Sequence, residues 1–407
     1  MDSEVMTGAF AFVLRGVALA LRFLLPLALI RLLGLEAAGV FALVTATAAI
    51  APAALGWGLN NLLTRGLVLH RRRAPRLIAT RLAVTAVSVG AAAAAALAIV
   101  FTTTPIPTLP VAPALAIVAL ETLALDVHVI LIALGRARRA NLMLFIRSAG
   151  WIPFFLIAAS RFDAVCSLDA TILFWIVGHV VALATLAPSI AKTSWRAIGV
   201  DFGWLRSGLR SSSFIYAADL GLVGQLYADR FLVAAMLGLE AIGIYSVCAA
   251  IAQSLQILVS SAVIQPALPR LIASARDREC SEALLKPLCH RLAWVFVAAL
   301  SALVLACLVI ADIHSIETSG AAAVSLCLLS FAAGARSLSD GLNVVLIGQE
   351  RHRIYAGLSL LGATLSIALS ILLLPILGLT GSGLAALAAA VTTALMRSKS
   401  IKNRSDP

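Results

Sequence analysis

Gly34-Leu35-Glu36-Ala37-Ala38-Gly39 recurs 204 positions later as Gly238-Leu239-Glu240-Ala241-Ile242-Gly243. Each copy sits in a very short gap between two long apolar runs. Glycine is suited to ending a helix, and a glutamate just after it favours the positive start of the next one. The offset is half of the 407 residues, so the chain reads as two similar halves. A membrane protein built from two halves carries its working site where they face each other.

Composition supports the membrane setting. The chain is 61% hydrophobic and 12% charged, and its mean hydropathy is +1.03. So little charge could not solvate the surface of a soluble domain. Apolar runs near the roughly 20 residues needed to cross a bilayer predict about 12 transmembrane helices. They fall at 8–33, 37–63, 77–101, 112–134, 142–160, 170–191, 212–237, 242–268, 291–311, 320–347, 354–376 and 382–396. The gaps leave no room for a soluble domain, and the first run is too long for a signal-peptide core. The six cysteines, Cys166, Cys248, Cys280, Cys289, Cys307 and Cys327, show no metal spacing, so no metal site is expected.

With the N-terminus inside, 24 of the 31 Lys and Arg fall in cytoplasmic segments, among them Arg65 to Arg81, Lys192 to Arg210 and the tail from Arg397. Arg31 and Arg161 lie outside, beside Glu36, Asp163, Asp169, Glu240, Asp312 and Glu317. This asymmetry predicts a multi-pass protein of the cytoplasmic (inner) membrane with both termini cytoplasmic. The net charge of +12 then reflects topology and attraction to anionic membrane lipids. The basic clusters are short and lack interleaved aromatics, so no nucleic-acid partner is expected.

Six helices per half give both halves the same polarity, so they are parallel repeats. The expected fold is an all-α, two-lobed transporter with lobes 1–205 and 206–407, the second ending in a short basic tail. A weaker echo agrees: Leu131-Ile132-Ala133-Leu134-Gly135-Arg136 precedes helix five, and Val345-Leu346-Ile347-Gly348-Gln349-Glu350-Arg351 precedes helix eleven.

The run Ile30-Arg31-Leu32-Leu33-Gly34-Leu35-Glu36-Ala37-Ala38-Gly39-Val40-Phe41 also resembles the polysaccharide transporters, the O-antigen (oligosaccharide) flippases. Its counterpart, from Ala228-Asp229-Arg230-Phe231 to Gly238, Gly243, Ile244, Tyr245 and Ser246, carries the same resemblance. That family belongs to the superfamily that also holds the MATE multidrug exporters and the lipid II flippases. The resemblance implies movement of a polyprenyl-pyrophosphate-linked oligosaccharide to the outer leaflet by alternating access. The headgroup would cross between the halves while the tail stays in lipid. It further implies a place in surface polysaccharide biosynthesis, beside a polymerase or glycosyltransferase partner.

Ten charges lie inside the expected spans: Arg15, Arg22, Arg147, Arg230, Arg336, Glu121, Asp126, Asp219, Asp229 and Asp340. Each central Arg or Asp costs about 2.5 to 3.5 kcal/mol on insertion scales, so these residues should face protein or water. Arg15 and Arg22, about 10 Å apart along one face of helix one, suit a pyrophosphate because guanidinium forks onto phosphate oxygens. The competing reading is that they pair with Glu121, Asp126 or Asp219. Pro26 leaves the carbonyl of Arg22 without its helical donor and should bend the helix. Arg336 is a third candidate contact, although Asp340 one turn away could satisfy it. Arg147 reads as snorkelling to the cytoplasmic edge.

Asp219, Asp126 and Glu121 are the candidates for proton or sodium coupling, and Glu121 shares a face with His128. A lone histidine in an apolar helix is as readily a packing residue. No nucleophile motif, Walker sequence or glycine-rich phosphate loop is present, so the chain is not read as an enzyme and no cofactor is expected. Two alternatives stay open: a cation-coupled multidrug exporter of the MATE type on the same scaffold, and a membrane glycosyltransferase or polymerase.

Overall fold

Gly34 and Gly238 adopt the same backbone conformation, φ 87° with ψ 172° and φ 92° with ψ 176°. This region is accessible in practice only to glycine. The residue that opens each copy of the repeated hexapeptide therefore breaks a helix by backbone geometry, with no neighbour forcing the turn: nothing lies within 4 Å of either Cβ position. Glu240 sits in the first turn of the helix that follows, where it faces that helix's positive end.

The computed structural model describes residues 2–102, 110–186, 199–267, 271, 287–301 and 320–402. Cys280, Cys307, Asp312, Glu317, most of the connector from Lys192 and the second half of the ninth expected run lie outside these residues. In chain order the helices are α1 Asp2–Ala54, α2 Leu59–Leu69, α3 Ala74–Thr102, α4 Val111–Ala133, α5 Ala137–Phe145, α6 Ile152–Ala159 and α7 Leu168–Ala184. They continue as α8 Phe202–Leu237, α9 Leu239–Val259, α10 Pro287–Ser301, α11 Gly320–Gly348, α12 His352–Leu377 and α13 Leu379–Lys402. Gly34 divides α1 into two crossings, α2 continues the second, and α5 and α6 form one crossing through a π-helical turn, Ile146–Gly150. The described residues thus supply twelve helical segments, matching the all-α reading.

Nine of these stretches are long and apolar enough to cross a membrane, with Leu168–Ala184 and Pro287–Ser301 as shorter apolar helices. The chain divides into two units, Met1–Tyr216 and Ala217–Pro407. The core of the first is Leu25, Leu29, Phe41, Ile117, Trp151, Ile152, Phe155, Ile172 and Trp175. The second is built around Leu255, Val259, Leu288, Leu342, Val345, Leu346 and Tyr355.

The second sequence echo is also geometric. Leu134 N donates to Ile130 O, Gly135 N to Ile132 O and Arg136 N to Leu131 O. Shifted by 215 positions, Gln349 N donates to Val345 O, Glu350 N to Ile347 O and Arg351 N to Leu346 O. Gly135 and Glu350 both have positive φ, at 75° and 60°. The same helix-ending turn is built twice, the second time without glycine.

Two expectations change. The second crossing is interrupted at residues 55–58, where the sequence reading ran one helix from 37 to 63. Pro52 lies in the preceding turn and Trp57 and Gly58 take positive φ, which ends regular pairing there. At Pro26, by contrast, α1 continues; within α1 only Gly34 leaves helical φ/ψ.

Candidate functional site in the N-terminal unit

Four helices bring charged or titratable groups to one depth. Counting from the ends next to Gly34, Val111, Ala159 and Leu168, the residues Arg22, Glu121, Arg147 and His179 each lie ten to twelve positions in, about 15 to 18 Å. That is the middle of a hydrocarbon layer about 30 Å thick. Arg147 Nη1 donates to Glu121 Oε2, and His179 Nε2 lies 3.2 Å from Glu121 Oε1. Arg22 is exposed on α1, makes no hydrogen bond or ion pair among the described residues, and lies within electrostatic reach of Glu121. Arg15, one to two turns nearer the N-terminus, is half-buried and acts electrostatically on His128.

The π-helical turn places Arg147 here. Glycine at 150 and proline at 153 loosen the regular ladder, and π segments recur at functional sites because they re-aim a side chain. Arg147 is buried, its Nε has no hydrogen-bond partner, and the snorkelling reading fails for it. The helix begins at Ala137, so Arg147 is ten residues inside rather than one turn.

His179 is fully buried, and its Nδ1 lies 3.0 Å from the carbonyl oxygen of Trp175. A carbonyl only accepts, so Nδ1 carries the proton and Nε2 faces Glu121. Around them stand Trp175, its ring centroid 6.0 Å from that of His179, and Trp151, stacked on Trp175 at 6.3 Å. The site therefore has a polar floor of ions against an aromatic wall.

Asp126 belongs to a separate cluster. Arg81 Nε and Nη2 donate to its Oδ1 at 3.0 and 2.6 Å, and Thr85 donates to its Oδ2. Arg81 Nη1 also donates to Gly56 O at 2.8 Å, capturing a carbonyl in the interrupted stretch 55–58. Both charged side chains are fully buried. Tyr216 Oη donates to Ala54 O at 2.9 Å, Ser212 Oγ to Trp57 O at 3.0 Å, and Trp57 Nε1 to Ser88 Oγ at 2.9 Å. The interruption is thus held by side chains together with two backbone bonds, Leu55 N to Ala51 O and Leu59 N to Gly56 O. Sequence reading had assigned Arg81 to a cytoplasmic basic cluster. His128, read with Glu121 as a relay, instead has its Nδ1 3.2 Å from Ala140 O.

In the second unit, Gln256 joins Arg336 to Asp340: Arg336 Nε donates to its Oε1 at 3.2 Å and its Nε2 donates to Asp340 Oδ2 at 3.0 Å. An amide from α9 replaces the direct pair expected within α11. Tyr245 Oη donates to Asp229 and accepts from Ser382 Oγ at 3.0 Å. The Arg230 guanidinium lies 4.6 Å from the Tyr227 ring centroid. Arg397, read as the start of a basic tail, is buried and donates to Ser339 and, at 2.9 Å, to Ser359. Asp219 is half-buried, with no hydrogen bond or ion pair among the described residues and Tyr355 within electrostatic reach.

No family model and no curated protein matches the sequence. Solved structures do match. An inward-facing multidrug resistance MATE family transporter of the MOP superfamily is 15% identical, with 97% of this chain and 96% of that one covered and a TM-score of 0.70. A Vibrio cholerae MATE transporter is 16% identical, with 99% and 98% covered and a TM-score of 0.65.

The fold is that of the MATE transporters.

A MATE-type transporter in its outward-facing conformation matches over 98% and 94% at 16% identity and a TM-score of 0.58. A MOP superfamily transporter from Pyrococcus furiosus matches over 99% and 94% at 16% identity and a TM-score of 0.57. That protein is described as having a binding pocket of reverse polarity that suggests a different function.

Proposed function

We propose that the chain is a MATE-fold flippase that carries an anionic, polyprenyl-pyrophosphate-linked oligosaccharide across the cytoplasmic membrane by alternating access. The observation that carries this reading is the charge balance at mid-depth in the N-terminal unit. Asp126 is taken by Arg81, so Arg22 and Arg147 share one nearby carboxylate, Glu121. Two guanidinium groups against one carboxylate inside a membrane suit an anionic ligand, because each unneutralised charge is expensive there. Arg22 and Arg15 are the headgroup contacts, and Arg336, already engaged by Gln256, is a third cation. Alternating access is supported by fold neighbours solved in both inward- and outward-facing conformations.

The test is translocation of lipid-linked oligosaccharide in vesicles. Arg22→Ala should lose at least about tenfold in rate while the protein stays folded, since one charge-assisted contact to phosphate is worth about 1.5 to 3 kcal/mol. Unchanged transport would overturn the assignment.

A second reading, a cation-coupled multidrug exporter, is favoured by the description of solved structures that share the fold and by the carboxylate of Asp219, unbonded among the described residues. It predicts drug sensitivity, rather than loss of surface polysaccharide, in a strain lacking the gene, and failure of export in Asp219→Asn.

A further inference from the structure

His179 and Glu121 meet in a way that requires a proton. With its Nδ1–H directed at Trp175 O, a neutral His179 turns the lone pair of Nε2 toward Glu121 Oε1 at 3.2 Å. Two acceptors facing each other at that distance repel. One added proton, on Nε2 or on the carboxyl, turns the contact into a hydrogen bond. Both groups are enclosed: His179 is fully buried and Glu121 half-buried.

We propose that Glu121 and His179 share one exchangeable proton, and that this proton sets the affinity of the Arg147–Arg22 site for phosphate anions. The proposal rests on the anion-site reading above and adds its regulation. With the proton present, the cluster holds one more positive charge and Glu121 competes less for Arg147. Without it, the carboxylate keeps Arg147 engaged and repels an incoming anion. The proton comes from solvent and returns there; no bond other than to hydrogen is made or broken. By linkage, whatever binds the protonated form more tightly also raises proton binding, so anion affinity rises as pH falls.

The surroundings of the pair bear this out element by element. α1 contributes Arg22, with Arg15 further along toward His128. The π-helical turn contributes Arg147, and its Nε, buried without a partner, leaves a donor for a ligand oxygen. α7 contributes His179 and the Trp175 carbonyl. α4 carries His128 seven positions beyond Glu121, occupied at Ala140 O. α3 carries Arg81, and α2 follows the interruption it caps; Arg81 is spent on Asp126.

Calorimetry of inorganic pyrophosphate binding to the purified full-length protein, in buffers of different ionisation enthalpy across about pH 5 to 8, tests this directly. After correction for the probe's own titration, wild type should take up protons on binding, about one half per bound anion at the maximum, as a tenfold affinity difference requires. Glu121→Gln should bind about tenfold more tightly at the alkaline end, with the gap closing toward the acid end. His179→Gln should bind with little pH dependence and no proton uptake. Binding without proton uptake in wild type overturns the proposal and leaves the anion reading standing. No binding at any pH by wild type or Glu121→Gln overturns the anion reading and the proposal with it. Should either variant fail to fold, the proton count of wild type still decides.

Discussion

Replacing Arg81 with methionine tests whether the Arg81–Asp126 cluster is a structural tie rather than a coupling site. The substitution removes two donors to Asp126 and the donor to Gly56 O. It leaves a fully buried carboxylate held only by Thr85, and Gly56 O in the break at 55–58 with Leu59 N as its remaining donor. Breaking a buried pair by removing one partner costs about 3 to 5 kcal/mol. The lost hydrogen bond to Gly56 O adds about 0.5 to 1.5 kcal/mol. The double variant Arg81→Met/Asp126→Leu removes the stranded charge and retains only the carbonyl term, so it should recover most of the loss. Thermal unfolding in detergent, followed by tryptophan fluorescence, reads this; Trp57 sits beside the freed carbonyl and stacks on Tyr216 at 5.5 Å. At about 2 to 4 °C per kcal/mol for a unit of this size, the single variant should melt on the order of ten degrees lower, and the double variant only about 1 to 6 °C lower. A double variant as unstable as Arg81→Met would refute the reasoning. A stable Asp126→Asn protein that no longer transports would instead restore Asp126 as a coupling group.

Two further outcomes follow from buried geometry. Gly34→Ala and Gly238→Ala should each cost about 1 to 3 kcal/mol, purely from backbone conformation, because open space surrounds both Cβ positions; equal thermal shifts confirm it, and no shift refutes it. Arg397→Lys should lose about 1 to 3 kcal/mol, since an ammonium cannot fork onto Ser339 and Ser359 together, as thermal unfolding would register.

What could be read from sequence was whatever local chemistry or hydropathy imposes. Gly34 and Gly238 were legible because only glycine tolerates the backbone they adopt, and the twelve helical segments because hydrocarbon demands long apolar runs. Partner choice was not legible. Arg81 meets Asp126 across 45 positions, Arg147 meets Glu121 across 26, and Arg397 meets Ser339 across 58. Helical periodicity gives the face a charge occupies and says nothing about which helix covers that face. Arg81 and Arg397 were misplaced for a second reason: they stand next to true loop arginines, and counting charge by segment cannot separate a buried guanidinium from an exposed one. The cluster Arg147–Glu121–His179 had one usable signal, the Gly150 and Pro153 that disturb the helix around Arg147.

The two halves repeat the same helix-ending geometry but not the same charges. At the offset of the repeated hexapeptide, Arg15 falls on Asp219: each stands 19 residues before the helix-breaking glycine of its own half, hence at the same depth. Equivalent positions thus hold opposite charges. The same offset sets Pro26 against Arg230 and Leu25 against Asp229. The first half gathers Arg147 and Arg22 around Glu121, whereas the second pairs its arginines with Gln256, serines and a tyrosine ring and leaves Asp219 without a hydrogen bond among the described residues. A symmetric carrier would need no such difference. On the proposed reading, the first half would hold the anionic headgroup and the second would offer a carboxylate to a cation, two tasks that equivalent halves with identical charges could not divide.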